Sequence, residues 1–350
     1  MKLIFDISHP AHFHLFKNTI KTLSNQGNEI KIIGRKKDVT LKLLSRENIE
    51  YECLSEHKPG ILNLASELFI HQYRLLKIIK EFKPDAIIEA GGTFIAHVGK
   101  LTRTPTIVFY NNENAKLQNF ITFPFVDVLC TPKSFMKDYG RKHIKFKSYH
   151  ELAYLHPNRF KPDPGILEEL GIKEGDFYSI VRFVGWSSSH DINKKGFSDA
   201  GKVHLVNKLL NYGKVFISSE GELPDTLNEH RYELSEDKLH HLMAYSSILV
   251  GESATMASES ACLGVPSIYF STSERGYTNE QERLYGLVFN FINKNENDVI
   301  TKTEELANSI LNGSNWIDKK NKLISENEDL TSWIVKFILD YVDQEKYFQP

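Results

Sequence analysis

The chain has 350 residues, 41% hydrophobic and 25% charged, with a net charge of −2. That length is enough for two domains with separate cores, and the absence of a basic excess argues against a nucleic-acid binder. Cys53, Cys130 and Cys262 lie far apart in or beside apolar stretches, without disulfide or zinc spacing, as suits a reducing cytoplasm. The apolar run in MKLIFDISHP is too short for a signal peptide, and no segment approaches the ~20 apolar residues of a membrane span.

The first part of the chain alternates strand and helix. Strands are predicted at 2–7, 29–33, 50–54, 86–89, 106–109 and 126–130, and helices at 13–25, 39–47, 62–82, 94–101 and 114–121. This alternation predicts a parallel sheet with crossover helices on both faces. The segment 155–165, LHPNRFKPDPG, places three prolines in a polar stretch and is read as an interdomain linker. A second alternation follows, with strands at 177–183, 215–218, 248–250, 267–270 and 288–291 and helices at 199–210, 236–245 and 256–263. Helices at 296–311, 316–326 and 330–343 close the chain.

Ligands of such sheets bind at the carboxyl ends of the strands. After the first strand, DISHPAHFH carries Asp6, His9, His12 and His14, and histidine suits acid–base work near neutral pH. His12 is the candidate base; capping of the next helix explains the same histidines, and nothing obvious completes a metal set. EAGGT follows the fourth strand, where Gly91 and Gly92 allow close approach to the backbone. In NNEN, Glu113 is a candidate for proton transfer or sugar hydroxyls, against a plain N-cap cluster. The aromatic stretch NFITFPFVDVL around Phe120–Phe125 reads as a helix end and a buried strand, with membrane contact as the other reading.

In the second part, RFVGWSSSHD offers Arg182 as a bidentate diphosphate donor, with Ser188 and His190 in the polar loop after it. The most informative stretch is LVGESATMASESACLGVPSIYF. Gly251, Ser253, Ala254 and Thr255 form a turn of little bulk between a strand and a short helix, and Gly264 fits a left-handed stop before Pro266. A helix N-terminus at the end of a strand is an anion site, and Glu259, about one turn inside, can reach a ribose diol. SERGYTNEQER adds Asn279, Glu280 and Gln281, whose letters also fit capping by Thr278 with Gln281.

Taken in order, DISHPAHFHLF, EAGGTFIA, FYNNENA, ELAYLHPNRFKPDP, RFVGWSSSHD, LVGESATMASESACLGVP and RGYTNEQE resemble the bacterial and archaeal domain-of-unknown-function family 354 over nearly the whole chain. That family is grouped with the GT-B glycosyltransferases, a superfamily that includes the lipid II N-acetylglucosaminyltransferase and the non-hydrolysing UDP-N-acetylglucosamine 2-epimerases. The resemblance implies an α/β protein of GT-B type, with two Rossmann-like doubly wound domains facing a cleft. It also implies a nucleotide-sugar on the C-terminal domain and no required metal. By that resemblance, residues like Ser253, Ala254 and Thr255 cradle the diphosphate and an acid like Glu259 binds the ribose. The domains expected are 1–155 on the acceptor side, a linker at 156–165, 166–329 on the nucleotide-sugar side, and 330–350 as a helix returning to the first domain. SHPAHFH replaces the glycine-rich first loop of the lipid II enzyme, and EAGGT lacks the acid that an epimerase carries after that strand.

The expected activity is transfer of a sugar from a nucleotide-diphosphate sugar, UDP foremost, to a cell-surface polysaccharide or glycolipid. His12, Glu113 and His190 are the catalytic candidates. Arg182, Ser188, Gly251, Ser253, Ala254, Thr255, Glu259, Asn279 and Gln281 are assigned to the donor, and His9, His14, Gly91 and Gly92 to the acceptor. No cofactor or metal is expected. A nucleotide-sugar epimerase or hydrolase is the alternative, and a non-catalytic nucleotide-sugar binder the second. The expected location is cytoplasmic, with peripheral contact at the inner face of the cell membrane left open.

Overall fold

The computed structural model describes residues 1–37, 39–185, 196–233 and 235–348. The chain divides into two compact units, one of Met1–Tyr154 with Glu328–Pro350 and the other of Leu155–Asn327.

The first unit runs β1 (Lys2–Ile7), α1 (Pro10–Asn25), β2 (Glu29–Lys36), α2 (Thr40–Arg46), β3 (Glu52–Glu56), α3 (Ile61–Phe82) and β4 (Ala86–Ala90). It continues with α4 (Ala96–Thr102), β5 (Thr106–Phe109), α5 (Lys116–Thr122), β6 (Val128–Pro132), β7 (His143–Phe146) and α6 (Leu152–Leu155). The seven strands form one parallel sheet in the order β3-β2-β1-β4-β5-β6-β7. β4 and β5 are buried along their whole length, which is why their apolar residues run consecutively, Ala86–Ile88 and Ile107–Phe109, instead of alternating. Ile4, Ile33, Leu54, Ile87, Val108 and Leu129, one from each of six strands, share a single core cluster.

α1 starts three residues earlier than predicted. His9 is its N-cap, with Nδ1 accepting from Ala11 N at 3.2 Å, and Pro10 follows at the position where a missing N–H leaves no bond unmade. The edge strand β7 was not predicted: HIKF is short, and its first three residues are not buried. In the aromatic stretch read as a helix end and a buried strand, Phe123 packs edge-on to Tyr110 and Tyr139 in the core, whereas Leu117 and Phe120 are exposed.

The second unit contains α7 (Gly165–Glu169), β8 (Tyr178–Phe183), α8 (Asp199–Leu210), β9 (Lys214–Ser219), α9 (Leu239–Tyr245), β10 (Ile248–Gly251) and α10 (Ala254–Leu263). It then has β11 (Ser267–Ser271), α11 (Gly276–Glu280), β12 (Val288–Ile292), α12 (Glu296–Leu311) and α13 (Ile317–Glu326). Its five strands are all parallel, in the order β12-β11-β10-β8-β9. The proline-rich segment before α7 is tied to α9: Asp163 N donates to His241 Nδ1 at 2.9 Å, and Phe160 packs on His241.

The last helix, α14 (Leu330–Phe348), belongs to the first unit. Leu330, Ile334, Ile338 and Val342 recur every four residues and are all buried, forming the apolar stripe that packs on α1. Thr331 Oγ1 and Asn18 Nδ2 both donate to the Ala153 carbonyl, at 2.7 and 2.9 Å, so α14 and α1 share one anchor. Among the described residues no helix is long and apolar enough to cross a membrane.

Candidate functional site

In an open parallel sheet the ligand crevice forms where the strand order reverses. In the second unit that point lies between β8 and β10, where Arg182 and Gly251 are paired in register. A Cβ on Gly251 would lie 2.4 Å from the Arg182 carbonyl oxygen, so glycine here permits close strand approach. Ser253 caps α10, its Oγ accepting from Met256 N at 3.3 Å. Ala254 and Thr255 are the first two helical residues, whose N–H groups have no partner within the helix. Ser253 and Thr255 are half-buried and reachable from solvent. The helix ends as its sequence predicts: Gly264 has φ 87°, Val265 N donates to Ser260 O at 2.9 Å and Gly264 N to Ala261 O at 3.0 Å.

Glu259 sits five residues beyond Ala254, about 7.5 Å along the helix axis. Its carboxylate is buried, and Oε1 is 2.9 Å from His240 Nε2 on α9. Arg182 is half-buried; Nη1 donates to Ser218 Oγ at 2.7 Å and Nη2 pairs with Glu220, both residues at the end of β9. Gln281 is fully buried and its Nε2 donates to Ser258 Oγ at 2.8 Å, tying the segment after α11 to α10. Asn279 is half-buried, with Nδ2 3.4 Å from Glu274 Oε2. Thr278 does not cap α11: the N-cap is Arg275, and Thr278 Oγ1 donates back to its carbonyl. Ser188 and His190 lie outside the described residues.

Sequence reasoning missed Glu252, the first residue after β10. It is buried, and its two oxygens accept from Val184 N at 2.8 Å and Phe197 N at 2.6 Å. An acid after a strand reads as solvated; only the fold reveals two main-chain donors converging on it.

In the first unit the strand order reverses between β1 and β4, where Asp6 and Glu89 are paired in register. Both are buried. Asp6 accepts from Ser8 Oγ and from His71 Nε2, the latter at 2.8 Å. His71 Nδ1 is 2.9 Å from Ser55 Oγ, which lies 3.3 Å from Glu67 Oε1; Arg35 Nη1 also reaches that oxygen at 3.3 Å. Ser55 and Glu67 in turn line a cavity of about 440 Å³ with Lys36 and Arg74. Glu89 Oε2 accepts from the Phe94 and Ile95 amides at 3.2 and 3.3 Å. Burial, and then the charge of Asp6, holds the Glu89 carboxyl well above the usual carboxylate range.

His12 lies in the first turn of α1 and is half-buried, its ring 5.9 Å from that of His9. Burial, and then the neighbouring His9, Arg35, Lys37 and His150, push its imidazole well below the usual range, so it is neutral at neutral pH. His150, from the segment after β7, stacks on Phe146 and is pushed by burial down to about 3. His14 packs against Tyr154, with ring centroids 5.2 Å apart. Gly91 and Gly92 adopt φ of 101° and 76°, a left-handed backbone that favours glycine. A Cβ on Gly92 would meet the Val108 side chain at 2.7 Å, so its smallness serves packing within the unit. Glu113, read as a cleft-facing carboxylate against a solvated N-cap cluster, is buried, while Asn112 Oδ1 accepts from Asn114 N at 3.1 Å to close the turn.

Among the described residues no three His, Cys, Asp or Glu side chains are grouped to hold a metal.

Two all-parallel α/β units, each with its polar loops at the sheet's reversal point, define the GT-B type of twin Rossmann-like fold. The solved UDP-GlcNAc 2-epimerase of Methanocaldococcus jannaschii superposes with a TM-score of 0.69 at 12% identity, covering 97% of this chain and 100% of that one. Acinetobacter baumannii MurG superposes with a TM-score of 0.59 at 12% identity, over 97% and 99%. The family described as "Protein of unknown function (DUF354)" matches residues 1–343, and the chain belongs to that family. By sequence it is 24% identical over 293 residues to a Clostridium novyi UDP-N-acetylglucosamine–N-acetylmuramyl-(pentapeptide) pyrophosphoryl-undecaprenol N-acetylglucosamine transferase, covering 75% of each chain.

Proposed function

We propose that this protein is a glycosyltransferase that moves a sugar from a nucleotide-diphosphate sugar, with UDP as the nucleotide, to a polysaccharide or glycolipid acceptor at the cell surface. The observation that carries the reading is the N-terminus of α10 at the β8/β10 reversal, with Glu259 buried about one and a half turns beyond it. The Ala254 and Thr255 amides and the Ser253 hydroxyl receive the diphosphate, and Gly251 keeps the strand end close. Glu259 accepts from the ribose diol. Arg182 exchanges Glu220 for the phosphate and offsets the charge of the departing nucleotide. Asn279 and Gln281 act on the donor sugar, Asn279 by contact and Gln281 by bracing α10 through Ser258. These N–H groups and the guanidinium supply the electrostatic stabilisation, so the reaction needs no metal and no cofactor.

The acceptor hydroxyl is held near His9, His14 and the Gly91–Gly92 turn. His12, neutral at physiological pH, takes its proton, with Glu113 as the alternative base. The acceptor oxygen then bonds to the anomeric carbon as the bond to the diphosphate oxygen breaks, and the nucleoside diphosphate leaves with inversion. Ser188 and His190 complete the set on the donor side. Leu117 and Phe120, exposed on α5, give a surface for peripheral membrane contact when the acceptor is lipid-linked. Loss of liposome co-sedimentation in Leu117→Ser/Phe120→Ser is the expected outcome, and unchanged sedimentation removes this contact.

An epimerase or hydrolase reading is favoured by one observation, the buried carboxylate of Glu113 in the loop after β5. A non-catalytic sensor is the remaining reading. NMR of UDP-sugars incubated with the protein separates them. A sugar that stays intact until an acceptor extract is added supports transfer. Conversion without acceptor supports the epimerase or hydrolase, and tight binding with no turnover supports the sensor.

A further inference from the structure

We infer that His240 is a positioning residue for the nucleotide, holding the Glu259 carboxylate in the orientation that accepts from the ribose diol; this rests on the ribose role of Glu259 proposed above. Nothing in the nucleotide reading calls for a histidine on α9. Yet His240 Nε2 meets Glu259 Oε1 at 2.9 Å, and the two side chains are only 11% and 7% exposed. In the proposed arrangement the carboxylate accepts and Nε2 donates. This bond fixes the carboxylate without occupying the whole of it, because two oxygens offer about four acceptor positions.

The histidine is itself fixed. It is the second residue of α9, and its ring stands edge-on to Phe160, with centroids 6.4 Å apart and planes at 82°. Phe160 belongs to the proline-rich segment that Asp163 and Tyr245 also tie to α9. The imidazole is therefore clamped by packing on one side and by the carboxylate on the other. Such second partners of a ligand-binding group set its geometry.

The test compares UDP with 2′-deoxy-UDP by calorimetric titration of the full-length protein. Wild type should bind UDP at least about tenfold tighter, as expected when one hydrogen bond to a charged acceptor is lost. His240→Ala should weaken UDP by a similar factor and leave 2′-deoxy-UDP nearly unchanged, so that the discrimination collapses toward one. His240→Gln, which keeps an N–H donor, should restore most of it. His240→Phe keeps the packing on Phe160 and removes the donor, and it carries the same test should the alanine variant not fold. A purely structural histidine would weaken both nucleotides equally. Full discrimination retained in His240→Ala or His240→Phe overturns the proposal while leaving the role of Glu259 intact. No discrimination in wild type overturns the ribose role itself, and the proposal with it.

Discussion

At the end of β1 and β4 the residues paired across the reversal point are Asp6 and Glu89, two buried acids. At the end of β8 and β10 they are Arg182 and Gly251. The first end continues into a buried chain of His71, Ser55, Glu67 and Arg35, with His12 and His150 held neutral by burial. The second continues into a helix of small residues whose N-terminus is built of Ser253, Ala254 and Thr255. One parallel topology thus presents titrating side chains at one sheet and main-chain donors at the other. Proton transfer suits the first kind of end and anion binding the second, which is how the donor and acceptor roles are divided in the function proposed here.

The contrast predicts unequal responses to mutation. The largest effect belongs to Asp6→Ala, which strips the buried His71 and Ser8 side chains of their shared acceptor; a loss of ~2–5 kcal/mol is expected in chemical denaturation. A loss below 1 kcal/mol would mean that the network is not part of what stabilises the first unit. Glu252→Ala removes the acceptor of the Val184 and Phe197 amides and should destabilise by ~1.5–3 kcal/mol, with rescue by Glu252→Gln limited to one oxygen acceptor.

The pH dependence sharpens the comparison further. The native state keeps His150 neutral down to about pH 3, whereas the unfolded chain protonates it near 6.5. Acidification through that window therefore favours unfolding, and His150→Gln should flatten the acid limb by up to about 1.4 kcal/mol per pH unit. Glu89 works in the other sense: its native proton is held above the usual range, so its contribution is present at acid pH and is lost as pH rises through its native pKa. The advantage of Glu89→Gln over wild type should accordingly grow with rising pH, and a pH-independent difference would contradict the direction given for Glu89. The smallest effect is expected at the second end. Ser253→Ala removes only the α10 cap and should cost about 1 kcal/mol of stability.

Much of the frame was legible in the sequence because continuous apolar strands and periodic helices announce themselves locally. β1, β5, α8 and α12 fall at their predicted bounds. What escaped depends on partners distant in sequence. His71 reads as one polar residue on a long helix until the sheet brings Asp6, 65 positions away, to 2.8 Å. Glu252 and His240 gain their meaning from groups on other elements in the same way. Gln281 was read as a contact to the donor sugar or a capping residue, and the fold buries it against Ser258. Gly92 was read as an opening for a ligand; that a Cβ there would also meet the Val108 side chain at 2.7 Å is visible only in the fold. β7 escaped for the opposite reason: an edge strand with three unburied residues carries almost no periodic signal.

The measurement that tests the account most directly is calorimetric titration of UDP into wild type and Glu259→Ala. The account predicts measurable binding to wild type and a loss of ~1–3 kcal/mol in the variant, roughly 5- to 150-fold in affinity, with the fold intact by circular dichroism. Equal affinity in the two proteins, or no binding to either, would contradict the assignment of the α10 end as the nucleotide site.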